Sequence, residues 1–184
     1  EAPTLLGVIP GGAVGNVCRA DAPAAPAESI IAGLYTDNCS GVIIATLMSP
    51  VGSPVTGTNC SWTATYSYSI KDACNNSASD AVVVYTGGDT EAPTLVGVLP
   101  GGAVGNVCKA DAPTAPLAAD IAALYTDNCS AVTATLLSSP VTGTNCAWTA
   151  TYTYSITDEA ACNAAGNAVV VYTGGDTEAP TLVG

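Results

Sequence analysis

Cys60-Ser61-Trp62-Thr63-Ala64-Thr65-Tyr66-Ser67-Tyr68-Ser69-Ile70-Lys71 alternates without a break. Trp62, Ala64, Tyr66, Tyr68 and Ile70 fall on one side of an extended chain; Thr63, Thr65, Ser67 and Ser69 fall on the other. This period of two predicts a half-buried β-strand. Its apolar side carries the largest side chains of the neighbourhood, so the Trp and Tyr stripe reads as core and not as an exposed carbohydrate platform. Residues 148–157 repeat the pattern with Trp148, Ala150, Tyr152, Tyr154 and Ile156.

That recurrence extends along the whole chain. Glu1-Ala2-Pro3-Thr4-Leu5 returns as Glu91-Ala92-Pro93-Thr94-Leu95 and again as Glu178-Ala179-Pro180-Thr181-Leu182. Residues 1–40 and 91–130 align without a gap and match at 31 of 40 positions. The expected organisation is one repeat over 1–90, a second over 91–177, and the start of a third over 178–184. On that reading the 184 residues are an excerpt of a longer tandem array. Length changes between the copies fall before Cys146 and around Cys162, which marks those places as surface loops.

Outward from the central strand, Thr4 to Ile9 reads as a first strand, 41–48 as another, and Val82-Val83-Val84-Tyr85 with its copy Val169-Val170-Val171-Tyr172 as the last. Pro116 to Leu124 fits a short helix opening at Pro. Gly11-Gly12-Ala13-Val14-Gly15 and Gly101-Gly102-Ala103-Val104-Gly105 lack a G-K-[ST] and a following helix, so they are a turn or bulge and not a phosphate loop. The fold class is all-β.

Each repeat has four cysteines: Cys18, Cys39, Cys60 and Cys74, then Cys108, Cys129, Cys146 and Cys162. Zinc sites usually present close pairs, often with His. Here neighbouring cysteines are never closer than Cys60 and Cys74, and His is absent. Disulfides are expected, and with them a compartment outside the cytosol. Spacing alone leaves three connectivities per repeat. If successive elements run up and down, Cys18 and Cys60 share one end and Cys39 and Cys74 the other. The expected bridges are Cys18–Cys60, Cys39–Cys74, Cys108–Cys146 and Cys129–Cys162, and an extra strand pair within 49–59 would leave that parity unchanged. Loops of about 35–40 residues correspond to roughly 4 kcal/mol per bridge in the chain-entropy model. An odd number of crossings puts the two termini of a repeat at opposite ends, which suits a head-to-tail stalk.

Fifteen acidic residues against three basic ones give a net charge of −12. Nucleic-acid binding needs Lys and Arg to displace counterions, so that partner class is excluded, and docking to anionic lipid is disfavoured. No apolar run is long enough to span a membrane. Only 10% of residues are charged while 48% are hydrophobic, which argues for a folded chain and against an acidic disordered tail. Without His the usual general base is missing, and the carboxylates fall at turns and junctions; no enzyme is expected.

Tyr35-Thr36-Asp37-Asn38-Cys39-Ser40, the Cys-x-Trp-Thr-Ala-Thr-Tyr-x-Tyr-Ser strand running to Asp72-Ala73-Cys74-Asn75-Asn76, and the Gly-Gly-Asp-Thr-Glu-Ala-Pro-Thr junction together resemble the surface-adhesin repeats of Bacteroidetes. These include SprB-like gliding adhesins of flavobacteria and are related in style to hyalin-repeat (HYR-like) immunoglobulin-type modules. The resemblance covers both complete repeats. It implies tandem immunoglobulin-like β-sandwich domains, each with two disulfides and arranged head to tail. It also implies export by the type IX route, attachment at the outer membrane, and a role in adhesion or gliding. It supplies no catalytic residues. The second repeat departs from the pattern at Asp158-Glu159-Ala160-Ala161-Cys162.

The expected function is a structural repeat of a long extracellular adhesin or surface filament. Its partners would be neighbouring repeats, laterally associated chains through an edge strand, and an external surface or polysaccharide. A glycan- or surface-polymer-binding module is the alternative. The acids add one candidate cofactor. Asp89 and Glu91 lie at the junction, and the same path argument carries Asp127, Asn128 and Asp158 to the facing end of the second repeat. Hard oxygen ligands of this kind suit Ca2+. The competing explanation is a solvated acidic linker that keeps the array soluble.

Overall fold

The alternating stretch becomes the middle of a sheet in each copy. The structure, a computed structural model, describes residues 1–39, 41–48, 54–158 and 161–183. The chain divides into two units, Glu1–Thr90 and Glu91–Gly184, with residues 178–183 counted in the second. Ser40 of the Asp-Asn-Cys-Ser motif and Glu159 and Ala160 of the insertion lie outside the described residues, as do residues 49–53.

In the first unit the order is β1 (Thr4–Leu5), β2 (Gly12–Asn16), α1 (Glu28–Ala32), β3 (Tyr35–Thr36), β4 (Ile44–Met48), β5 (Val55–Gly57), β6 (Trp62–Lys71) and β7 (Ala81–Gly88). The main sheet runs β2-β7-β6-β4, with β5 also paired to β6. β6 is long enough to hold both: β4 covers its second half (Ile44 opposite Lys71), and β5 its first residues (Gly57 opposite Trp62). β7 lies antiparallel along the other side, with Trp62 opposite Gly87 and Tyr68 opposite Ala81. β2 joins β7 in parallel. β1 and β3 form a separate two-stranded sheet. Among the described residues each unit is thus mostly β, with two sheets, one short α-helix and a single turn of 3-10 helix.

One face of the main sheet is buried, as the alternation requires. Trp62, Ala64, Tyr66, Tyr68 and Ile70 join Ala45, Ala81, Val83 and Ile31 of α1 in a single core. The cover is largely the extended, Ala- and Pro-containing segment after β2. The buried aromatic side chains anchor it through their polar ends: Trp62 Nε1–H donates to Val17 O (2.8 Å), Tyr66 Oη–H to Pro23 O (2.7 Å) and Tyr68 Oη–H to Pro26 O (2.5 Å). A large apolar body with one satisfied polar tip is how Tyr and Trp enter a core at little cost. On the opposite face Val82 and Val84 remain exposed.

The second unit repeats this construction with β8 (Thr94–Leu95), β9 (Gly102–Asn106), α2 (Ala118–Ala122), β10 (Tyr125–Thr126), β11 (Thr133–Ser138), β12 (Val141–Gly143), β13 (Trp148–Thr157) and β14 (Ala164–Gly175). Its sheet runs β11-β13-β14-β9, with β12 on β13. Trp148 donates to Val107 O (2.7 Å), Tyr154 to Pro116 O (2.6 Å), and Tyr152 to Pro113 O.

Two expectations shift. The first strand ends at Leu5, after which the Leu6 and Gly7 N–H groups both turn to Leu34 O. The Gly-rich stretch is a strand, although an irregular one: Gly11, Gly12 and Gly15 have positive φ, and the β2–β7 register shifts between Ala13 and Asn16. A Cβ at Gly11 would stand 2.5 Å from Val84 O, so this strand approaches β7 closer than a side chain permits.

The structure closes one of the two expected bridges in each unit. Cys18 and Cys60 are disulfide-bonded in the first unit, and Cys129 and Cys162 in the second. Cys39, Cys74, Cys108 and Cys146 are exposed free thiols, so the expected Cys39–Cys74 and Cys108–Cys146 bridges are open. Cys74 N–H is tied to Asp72 Oδ1 (2.8 Å), two residues back. Bridged Cys129 has the same kind of contact with Asp127, so nothing in the structure explains why Cys39 and Cys74 are open. Cys108 and Cys146 sit in the same turns as Cys18 and Cys60, and nothing in the structure explains why that pair is open.

Candidate functional site

The acidic residues of interest belong to two kinds of turn, one after the short strand β3 or β10 and one after the central strand β6 or β13. Both turns are built by an Asp side chain that accepts from N–H groups just ahead of it, which is the ordinary reason Asp opens a turn.

In the first unit Asp37 Oδ1 accepts from Cys39 N–H (2.9 Å). After β6, Asp72 Oδ1 accepts from the N–H groups of Cys74 and Asn76 (both 2.8 Å), and Oδ2 accepts from Asn76 Nδ2 (2.7 Å). The turn closes with Asp72 N–H on Asn76 O and Asn75 N–H on Asp72 O. The hydrogen bond from the Asn76 side chain, with help from the two backbone donors and against the effect of burial, holds the Asp72 carboxyl below its ordinary value of 3.8.

The second unit modifies both turns. Asp127 Oδ1 accepts from Cys129 N–H and Ser130 N–H (both 3.0 Å) and from Ser130 Oγ (3.3 Å). Its Oδ2 is buried without a hydrogen-bond partner. Asp158 is 1% exposed. Its Oδ2 accepts from the N–H and the Nδ2 of Asn163 (both 2.9 Å), while its Oδ1 is buried without a partner. The two turns meet: a carboxylate oxygen of Asp127 and one of Asp158 lie within 4.8 Å of each other. Glu91 and Asn128 line one cavity with Asp127, of about 220 Å³. Asp89, in the first unit, is buried, and its N–H donates to Asn59 O (2.8 Å).

Within the second unit the structure therefore brings Asp127 and Asp158 together and sets Glu91 and Asn128 beside Asp127. Asn163 was not foreseen. The signal was present, since an Asn follows each turn cysteine, but only the folded turn shows it binding the Asp side chain. Basic groups are elsewhere. Arg19 donates to Val55 O (3.1 Å), and Lys109, the one basic residue of the second unit, donates to Gly143 O (3.0 Å). The aromatic stripe is core and offers no platform: Trp62 and Trp148, the only tryptophans, are 1% and 2% exposed. Among the described residues no helix is long and apolar enough to cross a membrane. No family model matches the chain, and no curated protein matches it.

Proposed function

We propose that the chain is a structural portion of a long extracellular adhesin or surface filament, in which repeated β-units form a stiff stalk. The observation that carries this reading is the duplication of one closed design. Each unit has its own core, its own aromatic anchors and its own bridge, so units of this kind can be added in series without sharing a core. The connection at Thr90-Glu91-Ala92-Pro93 is short and contains a Pro, which restricts both itself and its neighbour. Immunoglobulin-like classification, type IX export, outer-membrane attachment, a part in gliding and the absence of enzymatic activity belong to the same proposal. They rest on the resemblance described above.

Electron microscopy of the native parent protein, isolated without reductant, tests the stalk. Strands of about ten residues span roughly 34 Å, so a thread beaded every 35–45 Å or so is expected. A compact particle overturns the reading.

A further inference from the structure

We propose that the second unit binds a Ca2+ ion between Asp127 and Asp158. The proposal is independent of the stalk reading. Three observations combine. First, each of the two carboxylates spends one oxygen on its own turn and leaves the other buried without a donor: Oδ2 of Asp127 and Oδ1 of Asp158. A buried anionic oxygen without a partner carries a large desolvation penalty, and Asp158 is almost wholly enclosed. Second, the carboxylates approach within 4.8 Å, so the two penalties add to a like-charge repulsion. Third, the unit contains no basic group to offset them. Lys109 is engaged on Gly143 O, at the Trp148 end of β13, whereas Asp158 follows its other end, some ten residues and roughly 33 Å away. A cation held between the two carboxylates would meet that charge.

The chemistry selects the class. Carboxylate oxygens are hard ligands, and two oxygens on one Ca2+ ion, each bound at 2.3–2.6 Å, stand at most about 5 Å apart. The observed separation falls inside that limit without rearrangement. Both ligands sit in turns, whose geometry suits the irregular coordination of Ca2+ better than the near-ideal octahedron of Mg2+. The cavity beside Asp127 leaves room for water ligands.

The test is calorimetric titration of the metal-stripped 184-residue chain with CaCl2, paired with thermal unfolding at each calcium concentration. Binding should be saturable and should raise the unfolding temperature. Asp127→Asn and Asp158→Asn should each weaken binding at least tenfold, while Asp120→Asn, on the exposed side of α2, should leave it unchanged. Circular dichroism checks that each variant folds. If Asp158→Asn does not, Asp127→Asn decides, because an Asn oxygen can still accept the turn's N–H groups. No calcium-dependent heat or stabilisation, or binding that survives Asp127→Asn at full strength, overturns the site.

Discussion

Tyr68 shows what one atom contributes here. Its ring is fully buried on the core face, and its hydroxyl donates to Pro26 O, the carbonyl of a residue that itself has no N–H to offer. Removing that hydroxyl takes the donor from a partly buried carbonyl, so Tyr68→Phe should cost about 1 kcal/mol in denaturant unfolding, with Tyr154→Phe costing a similar amount. Burial, reinforced by nearby Tyr85 and Tyr66, pushes the Tyr68 phenol above its ordinary 10.0. A proton-bearing group whose folded value is raised contributes stability below its unfolded value and loses that contribution as pH rises past it. The wild-type advantage over Tyr68→Phe should therefore be intact at pH 8 and shrink above about pH 10. Asp72 works with the opposite sign. The Asn76 side chain holds its carboxyl low, so its contribution is present above the ordinary value of 3.8 and disappears as pH falls through the depressed one. The stability gap between wild type and Asp72→Asn, measured by urea unfolding from pH 6 downward, should stay level to about pH 4 and close below it. A gap unchanged at pH 2 would remove the Asn76 hydrogen bond from the account. The alternating pattern told which face Tyr68 would occupy, because period two is a local property. It was silent on the carbonyl that the hydroxyl reaches, which lies 42 residues away.

At the scale of the element, β6 and β13 were legible in full, and the buried residues of the central strand are the ones that the alternation picked. β2 was not legible as a strand. Its Gly-rich sequence has no alternation to read, and its partner β7 is some seventy residues further along the chain. The Gly-Gly pair before the junction hides a different kind of information. Gly87 looked like part of a linker motif, but it lies in β7 directly opposite Trp62, and a Cβ there would fall 2.4 Å from Cζ2 of the indole. Gly174 meets Trp148 in the same way. A missing side chain here is the space that the Trp ring fills, so Gly87→Ala should force the indole off its rotamer and cost about 1–3 kcal/mol. Gly166, in β14 with nothing within 4 Å of its would-be Cβ, is the matched control. Gly166→Ala should be close to neutral. Equal losses at both positions would indicate a general strand effect and not contact with the ring.

For the whole molecule, duplication makes each unit a test of the other. The cysteine positions are the same in both, yet the bridged pair differs: the pair before the central strand in one, the pair around its far turn in the other. Each pairing is therefore attainable within this design, because each occurs once. Cys108 and Cys146 occupy the turns that bring Cys18 and Cys60 into a bond, with Asp111 N–H on Cys108 O matching Asp21 N–H on Cys18 O. Cys39 keeps the Asp37 contact that Cys129 has with Asp127. The units differ in length before Cys146 and around Cys162, and closing a long loop contributes several kcal/mol. The reading of the sequence that pairs all eight cysteines thus stands as a prediction: chain purified without reductant should hold four bridges. Denaturing it and labelling thiols should find none free, and peptide mapping should return Cys39 with Cys74 and Cys108 with Cys146. Replacing Cys108 and Cys146 together by Ser should then lower the stability of the second unit by about 2–5 kcal/mol. Four labelled thiols per chain would overturn the prediction and make the alternating pattern of open and closed pairs a property of the native protein.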